Sequence, residues 1–401
     1  MSQTPNELPT DRPPVTADFA PGSRIGRVKL MAADWRAFTM LFVLAAIWLY
    51  FHYSTGGIFM SPRNFSNLIL QTAVTGVLAV GMLMVIVAGQ IDLSVGSLVG
   101  LTGGVSAIVL TWLNWGFVPS LAAAVLLGLI IGALQGALVA YINIPAFIVT
   151  LGGLLTWRGV ILGLSEGQTI PISNPLYRSI GQCFVHPYAG LSLAAVAIAA
   201  VTWFALRRNR TRAHHGLASS GAGKLAWQIG LPSVFIVAFV LVMNSYAGIP
   251  IPAIIFLVVA LCGAVLTQNS TFGRYLYAIG GNPDAARLSG ISLRKHILAV
   301  FCLMGTLAGV ASVIYTARVA SASPDAGNLL ELDAIAACVI GGTSLMGGRG
   351  TVLGACLGAL IMASLDNGMS LKNVEPFVQY IVKGMVLVTA VGFDMLGRRQ
   401  G

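Results

Sequence analysis

Apolar residues cluster in long uninterrupted runs along the chain, among them 67–88, 117–141, 233–243 and 376–393. Several reach the roughly 20 residues a helix needs to cross a bilayer. Lipid offers no water to backbone N–H and C=O groups, so such runs must be helices that satisfy their own hydrogen bonds, not open strands. Spans are expected near 37–53, 67–88, 95–113, 117–141, 145–164, 188–206, 228–247, 249–267, 296–317, 350–366 and 376–395. A further run at 334–345, about twelve residues, is too short to cross alone and is expected to be a broken or re-entrant helix. The fold class predicted is an all-α integral membrane protein, a polytopic bundle of about 10–12 transmembrane helices with interrupted segments.

Small residues recur every fourth position in three places: Gly96, Gly100 and Gly104; Gly128, Gly132 and Gly136; Gly350, Gly354 and Gly358. That spacing lets helix backbones approach closely in lipid and predicts tight packing within one bundle. Each half of the chain also carries a glycine-rich interrupted segment, 89–104 and 341–354. Interruptions in corresponding positions often flank a substrate path.

Composition sharpens the picture. Of the 401 residues 56% are hydrophobic and 9% charged, against roughly 25% charged in a soluble domain. The net charge of +10 does not indicate nucleic acid, because the basic residues stand between apolar runs and not on an aromatic-interleaved surface. They are orientation signals. With the N-terminus inside, cytosolic segments hold Arg24, Arg36, Arg207, Arg212, Arg274, Arg287, Arg294 and ten more, while the outer loops hold only Arg63, Arg178, Arg318 and Lys372. Positive-inside bias therefore puts both termini in the cytosol. The chain divides into a disordered basic cytosolic tail (1–36), a first transmembrane half (37–206), a basic cytosolic linker (207–227) and a second transmembrane half (228–401) that includes a cytosolic loop at 268–296. The five cysteines show no metal-ligand spacing.

Candidate chemistry is sparse. Asp92, Ser94 and Ser97 sit with Gly89 and Gly96 between two spans, where an ionisable group must face protein or water. Asp92 or Ser94 could cap the following helix, or take part in gating; both readings stand. In the loop at 268–296, Asn282 is a good cap for a short helix begun by Pro283 and Asp284 and ended by Gly290. Displayed in the cytosol, such a helix is a docking element. Gly221, Gly223 and Lys224 resemble a phosphate-binding loop, but Leu225 stands where Ser or Thr would hold magnesium and no strand precedes, so the chain has no nucleotide site of its own. No catalytic triad, carboxylate pair or His/Cys cluster is visible, and enzyme chemistry is not expected. Arg158 and Lys383 lie within spans and are expected to snorkel or pair internally.

Several strings together resemble the permeases of ribose- and xylose-type ABC sugar importers, most closely the xylose-type branch: Ile91-Asp92-Leu93-Ser94-Val95-Gly96-Ser97, Ile144-Pro145-Ala146-Phe147-Ile148-Val149-Thr150-Leu151, Tyr277-Ala278-Ile279-Gly280-Gly281-Asn282, Glu331-Leu332-Asp333-Ala334 and Leu365-Asp366-Asn367-Gly368. The segment Asp284-Ala285-Ala286-Arg287-Leu288-Ser289-Gly290 resembles the loop by which such permeases touch their ATPases, with Asp284 where Glu is usual. The resemblance implies a bacterial inner-membrane permease that moves a monosaccharide, D-xylose first, by alternating access. It implies as partners a separate ATP-binding subunit that holds ATP and Mg, a periplasmic sugar-binding protein, a second permease copy and membrane lipid, with no cofactor in this chain and no nucleic acid. The expected coupling residues are then Asn282, Asp284, Ala285, Ala286, Arg287 and Gly290, and the expected gating or path residues Asp92, Ser94, Gln71, Gln135, Asn143 and Asn244. A neutral sugar calls for hydrogen-bonding groups and not an ion pair. The alternative is a stand-alone secondary transporter or channel for a small polar solute. Ion-coupled carriers bury ionisable relays, for which Asp92, Arg158 and Lys383 are the candidates.

Overall fold

The computed structural model describes residues 24–214 and 221–398. Residues 1–23 of the expected tail and 215–220 of the expected linker, including the start of the stretch resembling a phosphate-binding loop, lie outside the described residues.

In chain order the elements are α1 (Arg24–Ser54), α2 (Pro62–Val87), α3 (Val95–Thr111), α4 (Phe117–Tyr141), α5 (Ala146–Leu164), β1 (Ile170–Pro171), α6 (Pro175–Gln182), β2 (Phe184–Val185), α7 (Pro187–His214), α8 (Ala222–Asn244), β3 (Ile249–Pro250), α9 (Ile251–Asn269), α10 (Thr271–Gly281), α11 (Pro283–Leu288), α12 (Leu293–Val319), β4 (Ser321–Ala322), α13 (Leu330–Ile340), α14 (Val352–Leu371) and α15 (Pro376–Arg398). Among the described residues eight helices are long and apolar enough to cross a membrane, and three shorter apolar stretches lie in α1, α3 and α15. Eight of the eleven expected spans thus have a helix of spanning length; those expected at 37–53, 95–113 and 376–395 fall on the three shorter stretches, and the short run expected at 334–345 gives α13 at Leu330–Ile340. The first helix starts at Arg24 and not at 37, and α7 and α8 extend well into the stretch read as a linker.

Helix starts follow from local chemistry. Ser61 accepts from the Asn64 N–H ahead of Pro62 in α2, Thr351 accepts from Gly354 N–H at the start of α14, and Asn282 accepts from Ala285 N–H at the start of α11. α8 continues through Pro232, which membrane helices tolerate when neighbours satisfy the freed carbonyl. Two antiparallel ladders, β1 with β4 and β2 with β3, pin the links after α5 and α6 to distant parts of the chain. Neither the ladders nor α6 was expected.

α2 is the axis of the fold. From Thr72 to Val87 every residue is buried, packed among α9, α12, α13 and α14. α7 and α8 pack mainly on each other and stand at the periphery. The small-residue segments serve close packing, which replaces the hydrophobic effect between helices in lipid. A Cβ on Gly128 or Gly132 would overlap the carbonyls of Gly305 and Phe301 in α12, and one on Gly354 or Gly358 the carbonyls of Gly341 and Ala337 beside α13.

Candidate functional site

α2 stops at Val87 because the backbone turns at Gly89, whose φ of +76° lies in the left-handed region that suits glycine. Residues 88–94 run irregularly before α3 begins, and this break is the site's floor. Asp92, 1% exposed, takes the Ser94 N–H at 2.9 Å and the Ser94 hydroxyl at 2.7 Å on one oxygen, Oδ1. This is a local side-chain turn of the kind Asp favours. It replaces the capping role expected of Asp92 or Ser94: no side chain caps α3, because the Ser94 hydroxyl is engaged elsewhere. Gln135 Nε2 in α4 donates to that hydroxyl at 2.9 Å. The Thr150 hydroxyl in α5, which donates to Ala146 O at 2.9 Å, also stands 3.3 Å from Ile91 O on the other side of the break.

The wall opposite is built by α5 and the start of α13. A Cβ on Gly153 would overlap Gln135 Nε2 and stand 2.9 Å from Trp157 Nε1, a buried N–H with no partner. Arg158 Nη1 donates to Pro324 O at 2.5 Å and to Ala326 O at 2.9 Å, so α5 holds the irregular segment that leads into α13. Gly96 gives that segment its room, since a Cβ there would overlap Glu331 Oε2 and Gly327 O. Glu331, 6% exposed, lies within electrostatic reach of Arg158, Asp333 and Asp92. On the far side of α13, Lys383 of α15 bridges Asp333 and Asp366 at 2.9 Å each.

A second node lies where the break meets the turn α10–α11. The Gly348 N–H donates to Val87 O at 2.9 Å, and a Cβ on Gly280 would overlap that same carbonyl. A Cβ on Gly347 would stand 2.8 Å from Gly280 O and 3.1 Å from Gly89 Cα. The two glycine-rich segments therefore meet each other here, with α10 wedged against both. Tyr277 of α10 donates to Gly350 O at 2.8 Å. Burial pushes its phenol up from the ordinary value, against hydrogen bonding with Thr267, so it remains a donor at neutral pH. Beyond the node α11 stands clear: Asn282, Asp284, Ala285, Arg287 and Gly290 are exposed, Ala286 is buried, and Leu288 is 89% exposed.

A family model described as "Branched-chain amino acid transport system / permease component" matches residues 64–213 and 225–391. The chain belongs to this permease family. It is 43% identical over 92% of its length to the xylose transport system permease XylH of Escherichia coli, covering 94% of that protein. The XylH of Haemophilus influenzae is 44% identical, with 93% of this chain and 99% of the relative covered. The ribose import permease RbsC of Escherichia coli is 36% identical, with 84% and 87% covered. No solved structure matches the chain.

Within this permease the residues expected to act together divide. Asp92, Ser94 and Gln135 form one hydrogen-bonded set. Gln71 is half-buried on α2, Asn143 is exposed with φ +61° in the link between α4 and α5, and Asn244 ties the end of α8 to Pro187 O at 3.1 Å. None of these three joins the set. The residues expected to couple to an ATPase share one turn, capped by Asn282. Sequence reading missed Trp157, Glu331, Asp333 and Asp366, and limiting the buried ionisable groups to Asp92, Arg158 and Lys383 is corrected by the burial of Glu331 and Asp333 and the half-burial of Asp366. The signal was there in Glu331 and Asp333: two acids inside an otherwise apolar stretch, which in lipid mark function.

Proposed function

We propose that this permease is the membrane-spanning subunit of an ATP-driven importer for a neutral monosaccharide, D-xylose first, working by alternating access. What carries the reading is kinship of nearly the whole chain with xylose permeases. Two features of the fold support it. The break holds uncharged hydrogen-bonding groups, Ser94 and Gln135, with the buried Trp157 N–H unspent beside Gln135. α11 is a short capped turn that stands clear of the bundle, in a position where a partner can reach it. The partner is a separate ATP-binding subunit that supplies ATP and Mg2+; a periplasmic binding protein delivers the sugar to a pair of permease copies in the inner membrane. The basic residues Arg274, Arg287, Arg294 and Lys295 around α11 favour a cytosolic position for that turn and for both termini.

The test is uptake of labelled xylose by vesicles that hold the permease with its ATPase and binding protein, with ribose as competitor. ATP-dependent uptake that ribose does not relieve is expected. ATP-dependent uptake of a different sugar would keep the class and discard xylose, and uptake indifferent to ATP would favour the stand-alone transporter.

Gly290 provides a second check. It closes α11 with φ +80°, which proline, held near −65°, cannot adopt. Gly290→Pro should leave insertion unchanged, since the residue touches nothing within 4 Å where a Cβ would stand. It should lower ATP-driven uptake about tenfold, equivalent to about 1.4 kcal/mol of lost coupling. Unchanged uptake would remove α11 from the docking surface.

A further inference from the structure

α15 meets the bundle along one face. Phe377, Tyr380, Ile381, Met385 and Val388 point away from it, and the neighbour against which α15 packs is α13. Lys383, on the inward face, reaches past α13 to α14: its Nζ stands 2.9 Å from Asp333 Oδ2 and 2.9 Å from Asp366 Oδ2. One ammonium thus serves carboxylates on two helices. The second oxygen of each carboxylate, Asp333 Oδ1 and Asp366 Oδ1, is buried with no hydrogen-bond partner. Unspent buried oxygens are costly, and ionisable groups at this depth of a membrane protein are rare unless they act.

α13 is an 11-residue half-helix with irregular chain on both sides. Glu331 and Asp333, two positions and so about 200° apart around it, face opposite flanks. Glu331 lies toward Gly96 and Arg158 at the break; Asp333 lies toward Lys383. A shift of α13 that alters the break must therefore change its pairing with α15.

We propose that Lys383 is a positioning residue of the transport cycle. Held equally by Asp333 and Asp366, it allows α13 to slide against α14 while its charge always keeps one carboxylate. As α13 moves away from Lys383, Asp366 retains the ammonium, so the shift leaves no unpaired cation in the membrane. This role rests on the transport reading above.

Asp366→Asn separates this role from a static one. The Lys383–Asp333 pair and the packing of α13 on α15 remain, and only the negative charge of the second resting place is lost. In vesicles holding the full transporter, sugar uptake per ATP hydrolysed is measured for wild type, D366N, D333N and D366E, with the melting temperature of each purified permease. The expected result is an unchanged melting temperature for D366N, uptake per ATP reduced roughly tenfold, a similar loss for D333N, and recovery in D366E. Wild-type uptake in the same vesicles reports on the transport reading, and the ratio of variant to wild type reports on Lys383. Uptake per ATP unchanged in D366N and D333N would overturn the role, and so would a loss that merely follows a lowered melting temperature or that D366E fails to recover.

Discussion

Gly280→Ala should cut ATP-driven uptake 10- to 100-fold while the permease stays inserted. The added methyl would overlap Val87 O and lie 2.7 Å from Gly348 N. Neither atom can step aside freely: both are backbone, and they are bonded to each other at 2.9 Å. Overpacking of this kind costs about 1–3 kcal/mol, or roughly one to two decades of a coupling constant at about 1.4 kcal/mol per decade. The cost falls on one place, where α10, the end of α2 and the loop before α14 touch. A push delivered to α11 would reach the break through this stretch of chain. Gly281→Ala is the matched control, because a Cβ there meets nothing within 4 Å. Uptake by the two variants in the same vesicles decides the matter: if Gly280→Ala transports as well as Gly281→Ala, α10 does not relay force to the break.

Lipid explains why so much of the fold was legible. Each span must satisfy its backbone internally, so an apolar run of sufficient length has one structural answer. α4 accordingly occupies the expected 117–141, and α13 is the short broken helix expected from its length. The turn α11 was legible for a local reason: Asn282, Pro283 and Gly290 specify its start and end without tertiary help. What could not be read depends on contacts distant in sequence. β1 pairs with β4 across some 150 residues of chain, and two-residue strands leave no periodic trace. Gln71, Asn143 and Asn244 have the same hydrogen-bonding chemistry as Gln135, and only the approach of α4 to the break distinguishes the last. Asp366 stands in a legible motif, but its ion-pair partner Lys383 lies on another helix.

Asp92 separates geometry from charge at the break, and two substitutions should part widely. Asp92→Ala removes the acceptor of two hydrogen bonds and leaves the Ser94 N–H without its partner in a site that is 1% exposed. An orphaned buried donor costs about 1–3 kcal/mol, and the freed Ser94 hydroxyl no longer holds one orientation toward Gln135. Uptake is expected to fall about 30-fold or more, close to 2 kcal/mol at about 1.4 kcal/mol per decade. Asp92→Asn keeps an oxygen where Oδ1 stands, and both bonds from Ser94 with it. Its uptake should remain within about threefold of wild type, the loss from weakening a charge-assisted bond to a neutral one. The assay is initial uptake at equal amounts of folded permease. Equal, severe losses in both variants would mean that the carboxylate acts through its charge, and an ion-coupled step at the break would then be favoured over a turn that shapes a path for a neutral sugar. Retention by asparagine with loss by alanine is the outcome the geometry supports, because every bond that Asp92 makes there is one that an amide oxygen can accept.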